Sequence, residues 1–219
     1  MGQDTDPPTD PEPAPSHLGQ RLFNLALFLF FAAIMVHENR KVWLAGQLGF
    51  VEISFALQNA VMVALILLRR PHRAISTNPL HQALALAAFL SGALFAGSPV
   101  SGGPSAALAA TLITAAANVL GLVTLLNLGR SFGILIALRR VETRLLYSWV
   151  RHPMYGTDIL LRVGFLVSHL GVYTALLFVL SSACYVIRAL FEERFLAAAD
   201  PAYAAYMQRT RWRFIPYLF

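Results

Sequence analysis

Residues 153–191 read PMYGTDILLRVGFLVSHLGVYTALLFVLSSACYVIRALF, 39 positions with almost no charge. At about 1.5 Å per residue this run is roughly 58 Å of helix, close to two crossings of a hydrocarbon layer about 30 Å thick. The tripeptide His169-Leu170-Gly171 divides it most naturally into two spans joined by a hairpin. Polar and apolar residues do not alternate along it, so a membrane β-barrel is excluded.

Working outward, four further apolar runs precede this pair, at about 22–36, 51–68, 80–96 and 106–128. Arg69, Arg70 and Arg73 close the second run, and an uncharged turn, Ser101-Gly102-Gly103-Pro104-Ser105, joins the third to the fourth. Small residues crowd the fourth, as close helix packing in lipid favours. The expectation is an all-α polytopic membrane protein with five to six transmembrane helices. Residues 43–50 read either as a re-entrant segment or as part of the second helix. The stretch from Glu192 to Phe219 mixes charge with aromatics and reads as an amphipathic cap on the membrane face. Residues 1–20 carry Asp4, Asp6, Asp10, Glu12 and five prolines with no basic segment ahead of an apolar core, so they read as a disordered acidic tail and not a signal peptide. Three regions follow: the tail 1–20, the helices 21–128, and a chemistry-bearing region 129–219.

Composition agrees with that architecture. Of 219 residues, 57% are hydrophobic and 13% charged, against roughly 45–50% and about 25% in soluble domains. The net charge of +6 would suggest nucleic acid in a soluble protein, but here the cations flank apolar runs, where topology accounts for them. Twelve basic residues fall in the connections 69–79 and 129–152 and after 191, whereas the opposite loops hold only Arg40 and Lys41. By the positive-inside rule both termini are cytoplasmic. Lys41 is the only lysine, a bias toward arginine that hints at a bacterial source and hence an inner-membrane location. The single cysteine, Cys184, lies in an apolar run, which leaves no intramolecular disulfide framework, and the histidines show no metal-ligand spacing.

Chemistry has few places to sit. The hairpin brings Arg151-His152-Pro153-Met154-Tyr155 and Glu192-Glu193-Arg194 to the same mouth, although each segment alone also reads as an ordinary membrane-flanking stretch. Within the fifth span, Asp158 and Arg162 are spaced i,i+4 and can pair along one helix face, either as a structural pair or as a contact for substrate. Glu52, Asn59, Asn118 and Asn127 read as hydrogen-bonding groups between helices. His169 reads as interfacial.

Tyr147-Ser148-Trp149-Val150-Arg151-His152-Pro153-Met154-Tyr155, followed about 40 residues later by Glu192-Glu193-Arg194-Phe195-Leu196 and then Tyr203, Tyr206, Arg209 and Phe214-Ile215-Pro216, resembles the C-terminal signature of the isoprenylcysteine carboxyl methyltransferase family. Gly129-Arg130-Ser131-Phe132-Gly133 resembles the segment that opens the signature in bacterial members. The order and spacing agree, while Gly156 directly follows Tyr155 where many members place a Gly one residue later. The resemblance implies a membrane-embedded methyltransferase that uses S-adenosylmethionine. It assigns His152, Tyr155, Glu193, Tyr203 and Tyr206 to the cofactor, with Pro153 in the same segment and Arg151 serving the cofactor carboxylate or the substrate. The chemistry of methyl transfer adds Arg194 and Arg209 as catalytic cations that orient a carboxylate acceptor, Glu192 or Asp158 as base for an amine or phenol, and Asp158 with Arg162 as substrate contacts along the lipid path. The implied acceptor is a lipid or prenylated small molecule arriving from the bilayer, with an isoprenylcysteine-like carboxylate as one form. Phospholipid N-methylation, or an NADPH-dependent reduction of the sterol-reductase type, are alternatives within the wider superfamily; a non-catalytic membrane scaffold or transporter is the alternative from another class.

Overall fold

The computed structural model describes residues 17–44, 46, 49–95 and 102–218, with the side chains of residues 17, 38, 41 and 42 excepted. Most of the expected acidic tail, residues 45, 47 and 48 of the 43–50 stretch, and Ser101 of the uncharged turn lie outside the described residues. The chain is all-α apart from one two-stranded ribbon. Its elements are α1 (His17–Leu44), α2 (Phe50–Leu68), β1 (Ala74–Ile75), α3 (Pro79–Leu90) extended by a 3-10 turn (Ser91–Phe95), α4 (Pro104–Leu128), β2 (Ala137–Leu138), α5 (Leu146–Trp149), α6 (Pro153–Ser168), α7 (Val172–Ala199) and α8 (Pro201–Arg209).

Four helices, α1, α2, α4 and α7, are long and apolar enough to cross a membrane. The other two expected spans are shorter. With 16 residues, α6 reaches only about 24 Å, and α3 with its 3-10 turn is similarly brief. Leu29, Phe30, Leu57, Leu112, Leu126 and Leu180 are among many large apolar side chains turned outward. In water that pattern would demand a partner; on helices of this length it is the surface that lipid covers.

Local chemistry fixes where helices begin. Asn78 and Asp200 cap α3 and α8 through their side-chain oxygens, each followed by a proline at the first helical position. Glu52 turns back to accept from the Gly49 amide at 3.0 Å. It therefore caps its own helix and does not bridge two helices as expected. Asn118 does bridge, donating from α4 to the Val51 carbonyl at 3.3 Å and to Ser54 Oγ at 3.1 Å on α2. The tightest helix pair is α4 with α6, because Gly164 lets the helices approach until any added Cβ would collide with the Thr114 hydroxyl.

One correction to the expected layout and one pairing it did not include bear on the site. The stretch after Phe191 is not one separate cap: α7 continues unbroken to Ala199, and its 28 residues, about 42 Å, overrun a bilayer core by two to three turns. Only α8 and the segment after it lie across the end of the bundle. The connections 69–79 and 129–152, expected on one side, meet there as an antiparallel ribbon with Ala74 opposite Leu138 and Ile75 opposite Ala137. Gln82 of α3 locks the ribbon by donating to the Ser76 and Ile136 carbonyls and accepting from the Ile136 amide.

Candidate functional site

Pro153 occupies the first position of α6, where its missing N–H costs no helical hydrogen bond, and Val150, three residues before it, is extended. The segment after α8 runs alongside residues 150–152. The Arg151 amide donates to the Trp212 carbonyl and the His152 amide to the Arg213 carbonyl, both at 2.8 Å, and Val150 bridges Trp212 in parallel. Two stretches about 60 residues apart thus become one backbone unit against α7.

Glu193 holds that unit together. One carboxylate oxygen accepts from Arg151 Nε at 2.7 Å and lies 3.1 Å from His152 Nε2; the other accepts from Arg213 Nε at 3.1 Å. Arg151 also donates to the Thr210 and Arg211 carbonyls at 2.8 and 2.9 Å. The side chains of Glu193 and Arg151 are 3% and 6% exposed, so neither charge is left to water. A desolvated group of this kind adds little net stability as a whole, but losing one member strands the others.

Adjacent helical residues point about 100° apart, so Glu192 faces elsewhere. It borders a cleft with about 780 Å³ of empty space, part of it continuous with solvent. Glu192 accepts there from the Tyr155 hydroxyl. The Tyr155 ring stacks on His152, with centroids 5.1 Å apart, and the Arg188 guanidinium lies 4.8 Å from its centroid. Tyr147, Tyr203 and Tyr206 supply further aromatic wall, with Phe132, Gly133, Arg139, Arg140 and Glu142 on the ribbon side. Burial first, and the nearby Glu192 charge second, push the Tyr147 and Tyr203 hydroxyls well above the ordinary phenol range. These tyrosines are neutral. Tyr206 donates to the Tyr147 carbonyl at 2.6 Å and so ties α8 to α5. Burial and the neighbouring Arg69 charge lower Arg139 to about 10, against the pull of Glu192, and it still carries its charge at neutral pH.

Most of the residues singled out from sequence are therefore brought together. Arg151, His152, Tyr155, Glu192, Tyr203 and Tyr206 line the cleft, and Pro153 and Glu193 lie directly behind it. Arg194 and Arg209 are not part of this group: both are exposed and neither borders the cleft. Asp158 and Arg162 lie deeper in the bundle. The expected carboxylate–guanidinium contact is replaced there, since Arg162 donates to the Asp158 backbone carbonyl at 2.8 Å and to Ser91 Oγ at 2.9 Å. The Asp158 carboxyl turns instead toward the Tyr185 hydroxyl, and Arg162 sits 4.8 Å from the Tyr185 ring centroid.

Sequence reasoning missed Arg188, Arg213, Arg139 and Tyr185. Arg188 was the most legible, as an ionisable residue inside an apolar run, one turn before Glu192. It spans the bundle, donating to the Ala85 carbonyl at 3.1 Å and the Ile134 carbonyl at 2.6 Å. A polar file consequently runs from the cleft into the helices: Glu192, Tyr155, Arg188, then Tyr185 with Arg162 and Asp158.

No protein-family model and no curated protein matches the chain. Among solved structures it is similar to the eukaryotic intramembrane Ras methyltransferase ICMT, isoprenylcysteine carboxyl methyltransferase, at 15% sequence identity and a TM-score of 0.47. That likeness covers 92% of this chain and 85% of the other.

Proposed function

We propose that the protein is an integral-membrane methyltransferase that uses S-adenosylmethionine and modifies a lipophilic acceptor approaching from the bilayer. One observation carries this reading. The two segments that resemble the isoprenylcysteine carboxyl methyltransferase signature, 151–155 and 192–193, fold against each other at the rim of a polar, aromatic-walled cleft above apolar helices.

The donor set suits the cofactor. Arg139 answers its carboxylate, Glu192 and Glu142 its ammonium and ribose hydroxyls, and Tyr147, Tyr203 and Phe132 its adenine and sulfonium. When bound, S-adenosylmethionine would supply an electrophilic methyl for an acceptor to attack in line, with the neutral thioether S-adenosylhomocysteine leaving, so alignment and a dry polarised site are what the chain contributes. A carboxylate acceptor is already ionised and needs a cation to orient it, a role open to Arg140 at the cleft. An amine or phenol would instead lose its proton to Glu192. Glu193 serves in this reading as a positioning residue that holds Arg151 and His152 in place. Residues 129–219 then form the chemical unit, 21–128 its membrane scaffold, and both termini lie on the cytoplasmic side of a bacterial inner membrane.

Isothermal titration of the detergent-solubilised protein tests the cofactor, and transfer of label from S-adenosylmethionine into a lipid extract tests the reaction. Saturable binding, with label in an apolar product, is the expected result. Label in phosphatidylethanolamine would select the phospholipid N-methylation alternative. Binding of NADPH without S-adenosylmethionine would overturn the reading in favour of a reductase.

A further inference from the structure

A second cavity, with about 440 Å³ of empty space, opens beside the cleft and is lined by Arg70, Arg130, Arg140 and Arg144, with Glu142 as its single acid. Arg140, Glu142, Leu128 and Ser131 border both spaces. Its depth is set by two helix ends. Arg70 follows the last residue of α2 by two positions and Arg130 follows that of α4 by two, and the Arg70 amide donates to the Arg130 carbonyl at 2.7 Å. Both ends terminate apolar spans, which places the cavity at the level of lipid headgroups.

The charge there is poorly matched from within. Glu142 accepts from Arg144 Nε at 3.2 Å, and Arg130 Nε donates to the Leu68 carbonyl at 2.8 Å. Among the described residues these are the only side-chain hydrogen bonds the four arginines make; Arg130, Arg140 and Arg144 are exposed, the side chain of Arg144 by 74%, so the three positive charges in excess of Glu142 face solvent. Four like charges around one solvent-open cavity set up a positive field that draws in an anion. Guanidinium forks match phosphate oxygens two at a time, and basic pockets between helix ends are where anionic headgroups are held.

We propose that this second cavity is a phosphate site, taking the phosphate of a ligand held at the membrane face. It stands apart from the methyltransferase reading, because Arg70, Arg130 and Arg144 do not border the cleft; the two spaces share only the wall that carries Arg140 and Glu142.

The test uses Arg70→Gln/Arg144→Gln, since neither residue borders the cleft. Phosphatidylglycerol, glycerol 3-phosphate and diacylglycerol are titrated against the full chain in detergent. Phosphatidylglycerol should bind saturably, with affinity falling about tenfold or more in the double variant, as expected for loss of charge-assisted hydrogen bonds. Competition by glycerol 3-phosphate would identify a free phosphate ester as sufficient; binding of the lipid without such competition would identify the headgroup in its membrane setting. Equal binding of diacylglycerol, or unchanged affinity in the variant, would overturn the proposal. If the double variant unfolds, Arg70→Gln alone decides, because the backbone contacts of Arg70 persist and Arg70→Lys should restore binding. S-adenosylmethionine titration of the same variants reads the neighbouring cleft independently.

Discussion

Replacing Glu193 with glutamine keeps the shape of the side chain but removes the one negative charge shared by Arg151, His152 and Arg213. Breaking a buried charge pair from one side costs about 3–5 kcal/mol. The lower end applies here, since Arg151 keeps its bonds to the Thr210 and Arg211 carbonyls. At about 1.4 kcal/mol per tenfold change, 3 kcal/mol is roughly a 150-fold rise in the population of the opened state. The opened unit is local. It comprises the pairing of residues 150–152 with 212–213, and it leaves the contacts of α4 with α6 untouched. Hydrogen–deuterium exchange in detergent micelles reads this directly through the amides of Arg151 and His152. Their protection should fall by about two orders of magnitude while amides of 104–128 keep theirs. Binding in the cleft should weaken as a consequence. Glu192→Gln should separate the two effects, leaving exchange at Arg151 and His152 unchanged while weakening S-adenosylmethionine binding at least tenfold. Unchanged exchange in Glu193→Gln, or identical exchange patterns in the two variants, would refute the division of labour between the adjacent carboxylates.

Arg188→Ala should be strongly destabilising, by about 3 kcal/mol, because it strips the buried Ile134 carbonyl of its side-chain donor and removes a second bond to the helical Ala85 carbonyl; wild-type thermal unfolding would contradict the cross-bundle role. Gly164→Ala should lower stability by about 1–3 kcal/mol through the collision with Thr114, and Gly164→Ala/Thr114→Ala should recover most of the loss in the same unfolding assay. Burial, reinforced by the charges of Arg139 and Arg69, lowers His72 to about 4, so the folded state favours its neutral ring. The stability this represents is fully present above pH 6.5 and is lost as pH falls toward 4. A His72→Gln variant should show a flatter decline over that window in a pH series of thermal unfolding.

The outer layers of the fold were legible in the sequence for a simple reason. A bilayer imposes length and apolarity on any helix that crosses it, so the runs at 51–68 and 106–128 announced α2 and α4 almost to the residue. The 153–191 run likewise divided where the hairpin falls, with His169 closing α6. Where no such external constraint acts, local patterns said less. The β1–β2 ribbon has two residues per strand and joins positions more than 60 residues apart, too short for any alternation to show. The extent of α7 was equally hidden, because Glu192 and Glu193 look like a helix end when only a membrane boundary is being sought.

The sequence by itself determined the all-α membrane architecture, the hairpin, and the meeting of the 151–155 segment with the 192–193 pair. Composition and residue order carry that information, and a lipid environment enforces it. Only the tertiary structure decided which carboxylate does what. The phase of α7 against the extended 210–213 segment turns Glu193 inward onto three cations and leaves Glu192 facing the cleft, a difference of about 100° between neighbouring residues that no one-dimensional pattern encodes. The same packing leaves Arg194 and Arg209 in solvent and brings Arg188, Arg139 and Arg213 into play. Which cations reach a site depends on how helices and loops dock around it, and that is fixed by contacts between residues far apart in the chain.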